Sequence, residues 1–470
     1  MDPRLTKLVE SLELSKVLMI KICQAFQRHL SQGLLIHKNG GIPGEDVSIC
    51  SLKMLDSCIT NIPSGKETGV CYGLDFGGSN FRAVKAVLCG KGRIEIFQNS
   101  ASLKESFQGH CPEGLVHAEV PGTHLFDRFS LQLKDLIDHR EDTPMECSMN
   151  AENNPAVVPL GFTFSFPCLQ ESLNAARLIT WTKEIETGRA TECKVEGKDV
   201  AKMLQEAFLR HSIPARVFAV INDTVGTLIS CAYQKSEDDP DCLIGLILGT
   251  GSNVCYYEPM AQEFNYKGNV INLEYGSFFD PILPRNEVDI ELDRSSSNPG
   301  GQSFEKLVSG RYIGELVQKY CMKLDDPAVL DLLETYILDT KDAAALATLE
   351  TSNPTSSNIV NTMKRILPSS TVNILKALSL AIFNRSADLI SCSLAATVLR
   401  IITYSPEISR LSIGVDGSLI LKNEFYFERV TCGISSLIES AGKKCDVKLI
   451  PTDDGSGKGA ALVAFVASRS

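Results

Sequence analysis

Four glycine-rich turns in the chain carry groups that could bind an anion. Glycine tolerates positive φ and lets a ligand approach the main chain, so that successive N–H groups can surround a phosphate. Ser and Thr hydroxyls add donors, whereas an Asp beside such a turn repels phosphate unless Mg²⁺ or water lies between them. A single turn of this kind is most simply a hairpin, but four glycine-rich turns in one chain favour a phosphate-binding site. They are Asp75-Phe76-Gly77-Gly78-Ser79-Asn80, Gly249-Thr250-Gly251-Ser252, Asp416-Gly417-Ser418 and Asp454-Gly455-Ser456-Gly457-Lys458-Gly459.

Other side chains could carry catalysis. Asp223 follows the apolar run FAVIN and precedes an apolar helix, where it could simply cap that helix. It could equally meet a ligand, because ligands of α/β sheets bind at the carboxyl ends of strands. Trp181-Thr182-Lys183 joins the only tryptophan to a hydroxyl and an ammonium group, although a lone Trp is most often a core anchor. Glu274 and Glu305 are ordinary by themselves.

Both helices and strands are needed to position these groups. Apolar residues at helical spacing predict helices over 15–32, 125–139, 195–212 and 223–234, over much of 303–403, and from about Gly457 onward. Short β-rich runs separated by glycine turns predict a three-strand meander over 69–97, with further strands over 157–166, 215–222, 242–259, 411–421 and 445–455.

One internal similarity relates two of the turns. GLDFGGSN (73–80) and GLILGTGSN (245–253) both read as an apolar strand, a tight glycine turn, and Ser-Asn entering a second strand. A duplicated unit of this kind predicts two similar α/β domains that face one cleft. None of the four turns matches the P-loop pattern or a dinucleotide-binding glycine motif.

Composition excludes several classes of protein. The 470 residues hold 46 Lys plus Arg against 57 Asp plus Glu, a net charge of −11 that argues against nucleic acid as a partner. Many of the 16 cysteines lie in apolar runs and none forms a CxxC pair, which predicts reduced, buried thiols. The sequence shows no secretory signal layout and no membrane-spanning run. We therefore expect a cytoplasmic protein without membrane insertion.

Taken together, these segments resemble the hexokinase family. The resemblance runs from about residue 50 to the end, and its motifs occur in family order. They are DFGGSNFR (75–82), LGFTFSFP (160–167), ITWTK (179–183), EGKDV (196–200), INDTVGT (221–227), LGTGSN (248–253), NLEYG (272–276), NPGGQSFEKLVSGRYIGE (298–315), GVDGS (414–418) and DGSGKGAA (454–461).

The resemblance implies an α/β fold with two ribonuclease-H-like (actin-like ATPase) domains that flank a deep cleft. The small domain would comprise residues 70–220 plus 455–470, and the large domain residues 1–69 plus 221–454. The activity implied is ATP-dependent phosphorylation of glucose, and of other neutral hexoses, at the 6-hydroxyl, which is the first step of glycolysis. The partners implied are the hexose, ATP and Mg²⁺, and the chain could form a homo-oligomer.

The resemblance also assigns roles to residues. Asp223 would accept the proton of the sugar O6, and Lys183 would stabilise charge on the transferring phosphoryl group. The hexose would be bound by Ser165, Phe166, Thr182, Lys183, Asn222, Asp223, Asn253, Glu274 and Glu305. ATP would be bound by Asp75, Gly77, Gly78, Ser79, Asn80, Arg82, Gly249, Thr250, Asp416, Gly417, Ser418, Gly455, Ser456 and Gly457. Mg²⁺ would be held by ATP phosphates and water near Asp75 and Asp223, with no direct protein ligand.

Two departures from the family pattern concern these sites. Ser79 stands where Thr is common, which keeps the hydroxyl, and Glu184-Ile185 replaces the usual Gly-Phe after Lys183. Two other functions remain as alternatives: an actin-like nucleotide switch and a catalytically silent sugar sensor. The switch is disfavoured by a cluster suited to a polyol, which comprises Ser165, Thr182, Lys183, Asn222 and Asp223. The presence of Asp223 and Lys183 argues against the sensor.

Overall fold

The computed structural model describes residues 3–78, 80–105, 114–138, 157–181, 185–349 and 358–469 of the chain. Its strands are β1 (Leu55–Asp56), β2 (Thr68–Phe76), β3 (Asn80–Gly90), β4 (Arg93–Ser102), β5 (Val158–Phe164), β6 (Cys168–Ser172), β7 (Ala175–Leu178), β8 (Ala215–Ile221), β9 (Cys242–Leu248), β10 (Ser252–Tyr257), β11 (Val270–Asn272), β12 (Arg410–Asp416) and β13 (Asp446–Pro451). Its α-helices are α1 (Pro3–Glu10), α2 (Lys16–Lys38), α3 (Gly122–Asp138), α4 (Val200–Arg210), α5 (Asp223–Gln234), α6 (Glu287–Ser295), α7 (Glu305–Val308), α8 (Gly310–Met322), α9 (Pro327–Thr335), α10 (Thr340–Thr348), α11 (Asn358–Ile366), α12 (Ser369–Tyr404), α13 (Ser418–Leu421), α14 (Glu424–Ser440) and α15 (Gly455–Ala467).

Two sheets of the same connectivity organise the chain. One has the order β4-β3-β2-β5-β8, and the other has the order β11-β10-β9-β12-β13 with β1 added at its β11 edge. In each sheet the first three strands form an antiparallel meander. The fourth and fifth strands then run parallel to the first. The duplicated strand-turn-strand units predicted from the sequence therefore head two equivalent α/β sheets.

Helices α5 and α15 pack against each other between the two sheets. Their contact depends on glycine, because a Cβ added to Gly459 would lie 2.2 Å from the carbonyl oxygen of Gly226. On the other side of α15, a Cβ on Gly161 would lie 1.9 Å from the oxygen of Ala460. These glycines let main chains approach where larger residues would separate them, so the two helices bring the ends of both sheets close together.

The long helix α12 forms the centre of the larger hydrophobic core. Among the described helices, it alone is long and apolar enough to cross a membrane, and 94% of its most apolar window is buried inside the protein. Two arginines of α12 are also buried and paired. Arg385 makes two bonds of 2.7 and 2.8 Å to the Asp289 carboxylate, and Arg400 makes bonds of 2.9 and 3.0 Å to Glu258. Such bidentate pairing offsets the cost of removing these charges from water.

Several element boundaries differ from the sequence-based prediction. The helix predicted over 195–212 begins only at Val200, because the Asp199 carboxylate accepts the free N–H groups of Ala201 and Lys202 and so caps it there. Helix α2 continues to Lys38, beyond its predicted end. Helix α1 and strands β1, β6, β7 and β11 were not predicted; three of these strands have four residues or fewer and so give little periodicity.

The cysteines largely follow the prediction. Thirteen of those in the described part of the chain are free thiols, most of them buried. Cys89 differs, because it takes part in a disulfide. The proposed domain boundaries stay a prediction, with the one observation that α15 packs against β2, β5 and β8 across a large gap in sequence.

Candidate active site

A cleft of about 890 Å³ is lined by both sheets. Its lining residues come from the ends of strands and the turns that follow them, which is where ligands of α/β sheets bind. The first sheet contributes Asp75, Gly77, Gly78, Asn80, Phe81, Arg82, Ser100, Ala101, Ser102, Glu105 and Ser165, and the second sheet with its helices contributes Asp223, Ile247, Gly249, Thr250, Gly251, Asp416, Gly417, Ser418 and Ser456. The four glycine turns predicted to bind phosphate therefore meet in one cleft.

An arginine and two aspartates meet at one end of this cleft. Asp75 and Arg82 are cross-strand partners on β2 and β3, and the Arg82 guanidinium lies 2.5 Å from the Asp75 carboxylate. The same guanidinium lies 2.7 Å from Asp454, at the N-terminus of α15. The Ser456 hydroxyl donates to Asp75 over 2.8 Å. This arrangement joins the first and the fourth glycine turns.

The electrostatics of this end are dominated by carboxylates. Burial raises the pKa of Asp416 and that of Asp454. Burial opposes the charged form of Arg82, but the charges of Asp75 and Asp454 outweigh it and raise the pKa of the guanidinium. Among the described residues that line the cleft, Arg82 is the only one with a positively charged side chain. A polyphosphate here would consequently depend on backbone N–H groups and an added cation.

The second and third glycine turns touch each other. Gly417 has φ of +116°, and a Cβ there would lie 2.4 Å from the oxygen of Leu248, which immediately precedes Gly249. Asp416 accepts from the N–H of Gly417 at 2.6 Å and from that of Gly455 at 3.3 Å. Glycine is thus required at position 417 for both its backbone conformation and the close approach of two turns.

Asp223 is the first residue of α5, directly after β8. The prediction that it caps this helix is wrong in detail: Asn222 is the cap, and its Oδ1 accepts from the Thr224 N–H at 3.0 Å and from the Thr224 hydroxyl at 2.7 Å. The Asp223 carboxylate also accepts from the Thr224 N–H, at 2.9 Å. Asp223 lines the cleft, in a rigid position where the helix dipole favours its negative charge.

Asn222 links Asp223 to a network of polar side chains on the second sheet. The Asn253 amide nitrogen lies 3.3 Å from Oδ1 of Asn222, 2.9 Å from Oδ1 of Asn272 and 3.1 Å from Oε1 of Glu274. Asn272 also donates to Glu274 over 3.0 Å. Three of the predicted sugar ligands are therefore in contact. The network includes Asn272, to which the sequence assigned no role, although it lies within the quoted motif NLEYG.

Glu274 and Glu305 flank this network in different ways. Glu274 has φ of +48°, a left-handed conformation that costs free energy in a residue other than glycine and is often found at functional sites. The Glu305 carboxylate accepts from the Ser252 N–H at 3.1 Å, next to the cleft residue Gly251. Neither carboxylate is among the residues that line the cleft, although that of Glu305 lies next to the lining residue Gly251.

Ser165 and Phe166 lie on the first sheet side. The Ser165 N–H donates to the Phe76 oxygen over 3.0 Å and its hydroxyl borders Gly77. Ser165 lines the cleft, and its contact with a sugar stays a prediction. The Phe166 ring is buried, and its centroid lies 4.9 Å from that of Trp181. A contact between Phe166 and a sugar would therefore involve its main chain, while its ring supports the segment around Trp181.

The segment leading to Thr182 and Lys183 is anchored by Glu196. Trp181 donates through its N–H to the Glu196 carboxylate at 2.8 Å and through its indole to the Thr187 oxygen at 2.9 Å. A bond from Arg189 lowers the pKa of Glu196 to about 2, so this anchor is charged at neutral pH. Three predicted site residues, Ser79, Thr182 and Lys183, lie outside the described residues.

Two predicted nucleotide-binding glycines do not line the cleft. Gly455 and Gly457 flank Ser456 but face the interior, where a Cβ on Gly457 would lie 2.9 Å from Val84. The structure adds cleft residues that the sequence did not indicate, chiefly Ser100, Ser102 and Glu105 on and beyond β4. The sequence held one signal for the first two: strand β4 pairs with β3 in the predicted meander, which places them opposite Arg82 and Asn80.

Comparison with known proteins identifies the family. Two family models, each described as hexokinase, match residues 4–233 and 243–466. The chain is 41% identical to the hexokinase of Plasmodium falciparum over 98% of this chain and 92% of that protein. It is 39% identical to the hexokinase of Toxoplasma gondii over 96% of this chain and 94% of that protein. Against Hexokinase-1 of Mus musculus the identity is 34% over the whole chain, which spans 46% of that protein.

Solved structures agree with this assignment. A crystal structure of a hexokinase has a TM-score of 0.85 at 36% identity, and the match covers 99% of both chains. The hexokinase from Schistosoma mansoni, complexed with glucose, has a TM-score of 0.75 at 29% identity over 98% of both chains. The expected actin-like fold with two α/β units is therefore confirmed. The chain belongs to the hexokinase family and is a kinase that phosphorylates glucose with ATP.

Proposed function

We propose that this hexokinase transfers the γ-phosphoryl group of Mg²⁺-bound ATP to the 6-hydroxyl of glucose with Asp223 as the proton acceptor. The observation that carries the proposal is that Asp223 lines one cleft with the glycine turns and directly follows Asn222 in the chain. Asn222 in turn touches Asn253. Donor-binding and sugar-binding groups thus meet at the residue that would activate the acceptor hydroxyl.

The sugar end is suited to a neutral polyol. The Asn253 amide donates to the Glu274 carboxylate, and the Glu305 carboxylate accepts from the main-chain N–H of Ser252. Sugar hydroxyls, which both donate and accept, can replace these bonds without leaving buried groups unpaired. A sugar with a misplaced hydroxyl would leave one of them unsatisfied, which is how such sites discriminate strongly. Ser165 and, in the prediction, Thr182 and Lys183 complete this end from the opposite sheet.

Asp223 acts on the acceptor hydroxyl chiefly by orienting it. An ionised carboxylate is a weak base, so the proton moves late, as the bond between O6 and phosphorus forms. The first-turn position of Asp223 on α5 fixes the carboxylate, and the bond that it accepts from the Thr224 N–H restricts its rotation. Phosphoryl transfer needs little more from the protein than positioning and compensation of charge.

The donor end fits a magnesium–polyphosphate complex. Asp75, Asp416 and Asp454 place three carboxylates around the single described cation Arg82, so a bare polyphosphate would be repelled. Mg²⁺ would neutralise phosphate charge there, with Asp75 near its water shell. In this proposal the ion is held mainly by phosphate oxygens and water, without a direct protein ligand. Lys183 would stabilise charge on the transferred group.

The test is a coupled assay with glucose, ATP and Mg²⁺ on the purified protein. Asp223→Asn keeps the shape of the side chain, and we expect it to lower kcat by at least about 10²-fold while glucose still binds. Asp238→Asn, at an exposed aspartate in the loop after α5, is the matched control and should leave kcat unchanged. Near-normal turnover by Asp223→Asn would refute the assignment.

We further infer that the protein is located in the cytoplasm, because its composition is acidic and most of its described cysteines are free thiols.

A further inference from the structure

We infer that Asn272 is a positioning residue for the sugar, because its amide holds Asn253 and Glu274 in the arrangement that a hexose meets. The inference rests on the proposed sugar contacts of those two residues. Asn272 is the last residue of β11 and is only 5% exposed. It acts through its neighbours and has no assigned contact with the substrate.

The geometry gives Asn272 three roles at once. Its amide nitrogen donates to Oε1 of Glu274 over 3.0 Å. Its amide oxygen accepts from the amide nitrogen of Asn253 at 2.9 Å and from the main-chain N–H of Glu274 at 3.3 Å. One side chain thus fixes the carboxylate of Glu274, the backbone of Glu274 and the orientation of the Asn253 amide.

An amide is the chemical group that these contacts require. The side chain must donate to a carboxylate on one side and accept from two N–H groups on the other, and a primary amide of this length does both. A carboxylate would set a second negative charge against Glu274. An apolar side chain would leave the polar atoms of Glu274 and Asn253 without these partners.

The bond to the main chain matters because Glu274 is in a left-handed conformation, with φ of +48° and ψ of +48°. This conformation persists only where the surroundings hold it. The position of Asn272 is itself fixed, since it pairs with Cys255 on one neighbouring strand and with Leu55 on the other. Because the sheet fixes the position of Asn272, the hydrogen bonds of its amide also fix the position of Glu274.

A small pocket beside Asn272 limits the size of the expected effect. Asn272 and Asn222 border a space of about 30 Å³, large enough for about one water molecule. When the Asn272 side chain is shortened, water can enter and supply hydrogen bonds, although without fixed orientation. We therefore expect weaker sugar binding and an intact fold.

The first experiment measures glucose binding by calorimetry in the absence of ATP. Asn272→Ala should raise the Kd for glucose about tenfold, with the KM for ATP and the Tm close to those of the wild type. Asn269→Ala is the matched control, since Asn269 lies on the same segment and is bonded through its main chain to Ile59 and Glu258. A Kd within twofold of the wild type would overturn the inference.

The second variant keeps the test decisive if Asn272→Ala does not fold. Asn272→Asp is isosteric but places a carboxylate against Glu274, and two adjacent carboxylates share a proton at low pH. The Kd for glucose, relative to wild type, should therefore increase as the pH rises from 5.5 to 8. Other titratable groups on the neighbouring strands are Asp56, which accepts from the N–H of Lys267, and Cys255, whose pKa burial raises to about 12.

If the Kd for glucose of Asn272→Asp, divided by that of the wild type, did not change with pH, this result would count against the role of Asn272. Failure of the proposed function is distinguishable from this outcome, because it would appear as absent turnover or glucose binding in the wild type itself. The Asn272 variants are then compared only with a wild type that binds glucose.

Discussion

Arg82 on β3 of one sheet lies 2.7 Å from the carboxylate of Asp454, which follows β13 of the other sheet. The same guanidinium binds Asp75 at 2.5 Å. The ion pair therefore joins, at one end of the cleft, two glycine turns that are far apart in sequence. Because ATP is proposed to bind between these turns, the pair connects nucleotide binding with the relative position of the two sheets.

We predict that Arg82→Gln weakens both the fold and ATP binding. The substitution leaves Asp454, which is 11% exposed, without its cation, and we expect a loss of about 1–2 kcal/mol in the free energy of unfolding. The KM for ATP should rise more than the KM for glucose. Asp454→Asn and the double variant complete a thermal-denaturation cycle, in which additive losses would show that the two residues are not coupled.

Gly459→Ala should destabilise the protein, although alanine normally favours a helix over glycine by up to about 1 kcal/mol. The added Cβ would lie 2.2 Å from the oxygen of Gly226, so α5 and α15 must separate, at a typical cost of about 1–3 kcal/mol for overpacking. Because Asp223 is the first residue of α5, separation of the two helices should displace its carboxylate and lower kcat. The Tm is the first measurement.

Gly301→Ala serves as the control for that variant, because a Cβ there meets only ordinary contacts of 3.4 Å or more. Its Tm should equal that of the wild type. If Gly459→Ala had an unchanged Tm as well, the close packing of α5 on α15 would not constrain the molecule.

His29 should make the protein less stable in mild acid. Its Nδ1 accepts from the Ser51 N–H at 3.1 Å, while Nε2 lies 3.5 Å from the Asp280 carboxylate. Burial lowers the pKa of His29 and outweighs the opposing effect of Asp280. The unfolded chain, with a pKa near about 6.5, then binds more protons than the folded one, so stability falls as the pH drops through this value.

The measurement compares the Tm at pH 7.5 and at pH 5.5 in the wild type and in His29→Gln. We expect the Tm to fall less between pH 7.5 and pH 5.5 in the variant than in the wild type. At pH 7.5 the Tm of the variant should itself be lower, because the contact with Ser51 is altered. Tm is preferred to a free energy, since a chain with two α/β units need not unfold in one step. An identical loss of Tm in both proteins would exclude His29 as the source.

The sequence predicted the parts of the site that are local. Glycine turns after apolar strands identify residues such as Gly77 and Gly417 because the turn conformation depends on the residues of the turn itself. The strand–helix boundary at Asp223 is local as well, and helix 223–234 has the predicted bounds. Only the identity of the cap was wrong, because Asn and Asp cap helices about equally well and adjacent candidates cannot be ranked.

Contacts between distant segments could not be predicted in this way. Nothing near Asn272 indicates that its amide holds Asn253 and Glu274, since that contact depends on the pairing of β10 with β11. The bond between Arg82 and Asp454 likewise depends on how α15 packs between the sheets. Glu274 adopts its left-handed conformation under tertiary constraint, without a glycine to signal it.

Glucose binding should close the cleft, because the proposed ligands come from both sides of it. Ser165 belongs to the first sheet and Asn253, Glu274 and Glu305 to the second sheet and the elements after it. A ligand that bridges two bodies binds the closed form better, and this difference in affinity drives closure. Closure would also exclude water, which could otherwise accept the phosphoryl group in place of O6.

Two measurements can detect this closure of the cleft. The radius of gyration from X-ray scattering should decrease when glucose is added. The emission of Trp181, the only tryptophan, should change because its segment continues into Thr182 and Lys183, although its indole is itself 4% exposed. Glu274→Gln keeps the shape of the side chain but removes its charge, and so should shift both transitions to higher glucose concentration without changing their amplitude. If the radius of gyration were the same with and without saturating glucose, the ligands would already be in their final positions and the closure hypothesis would be wrong.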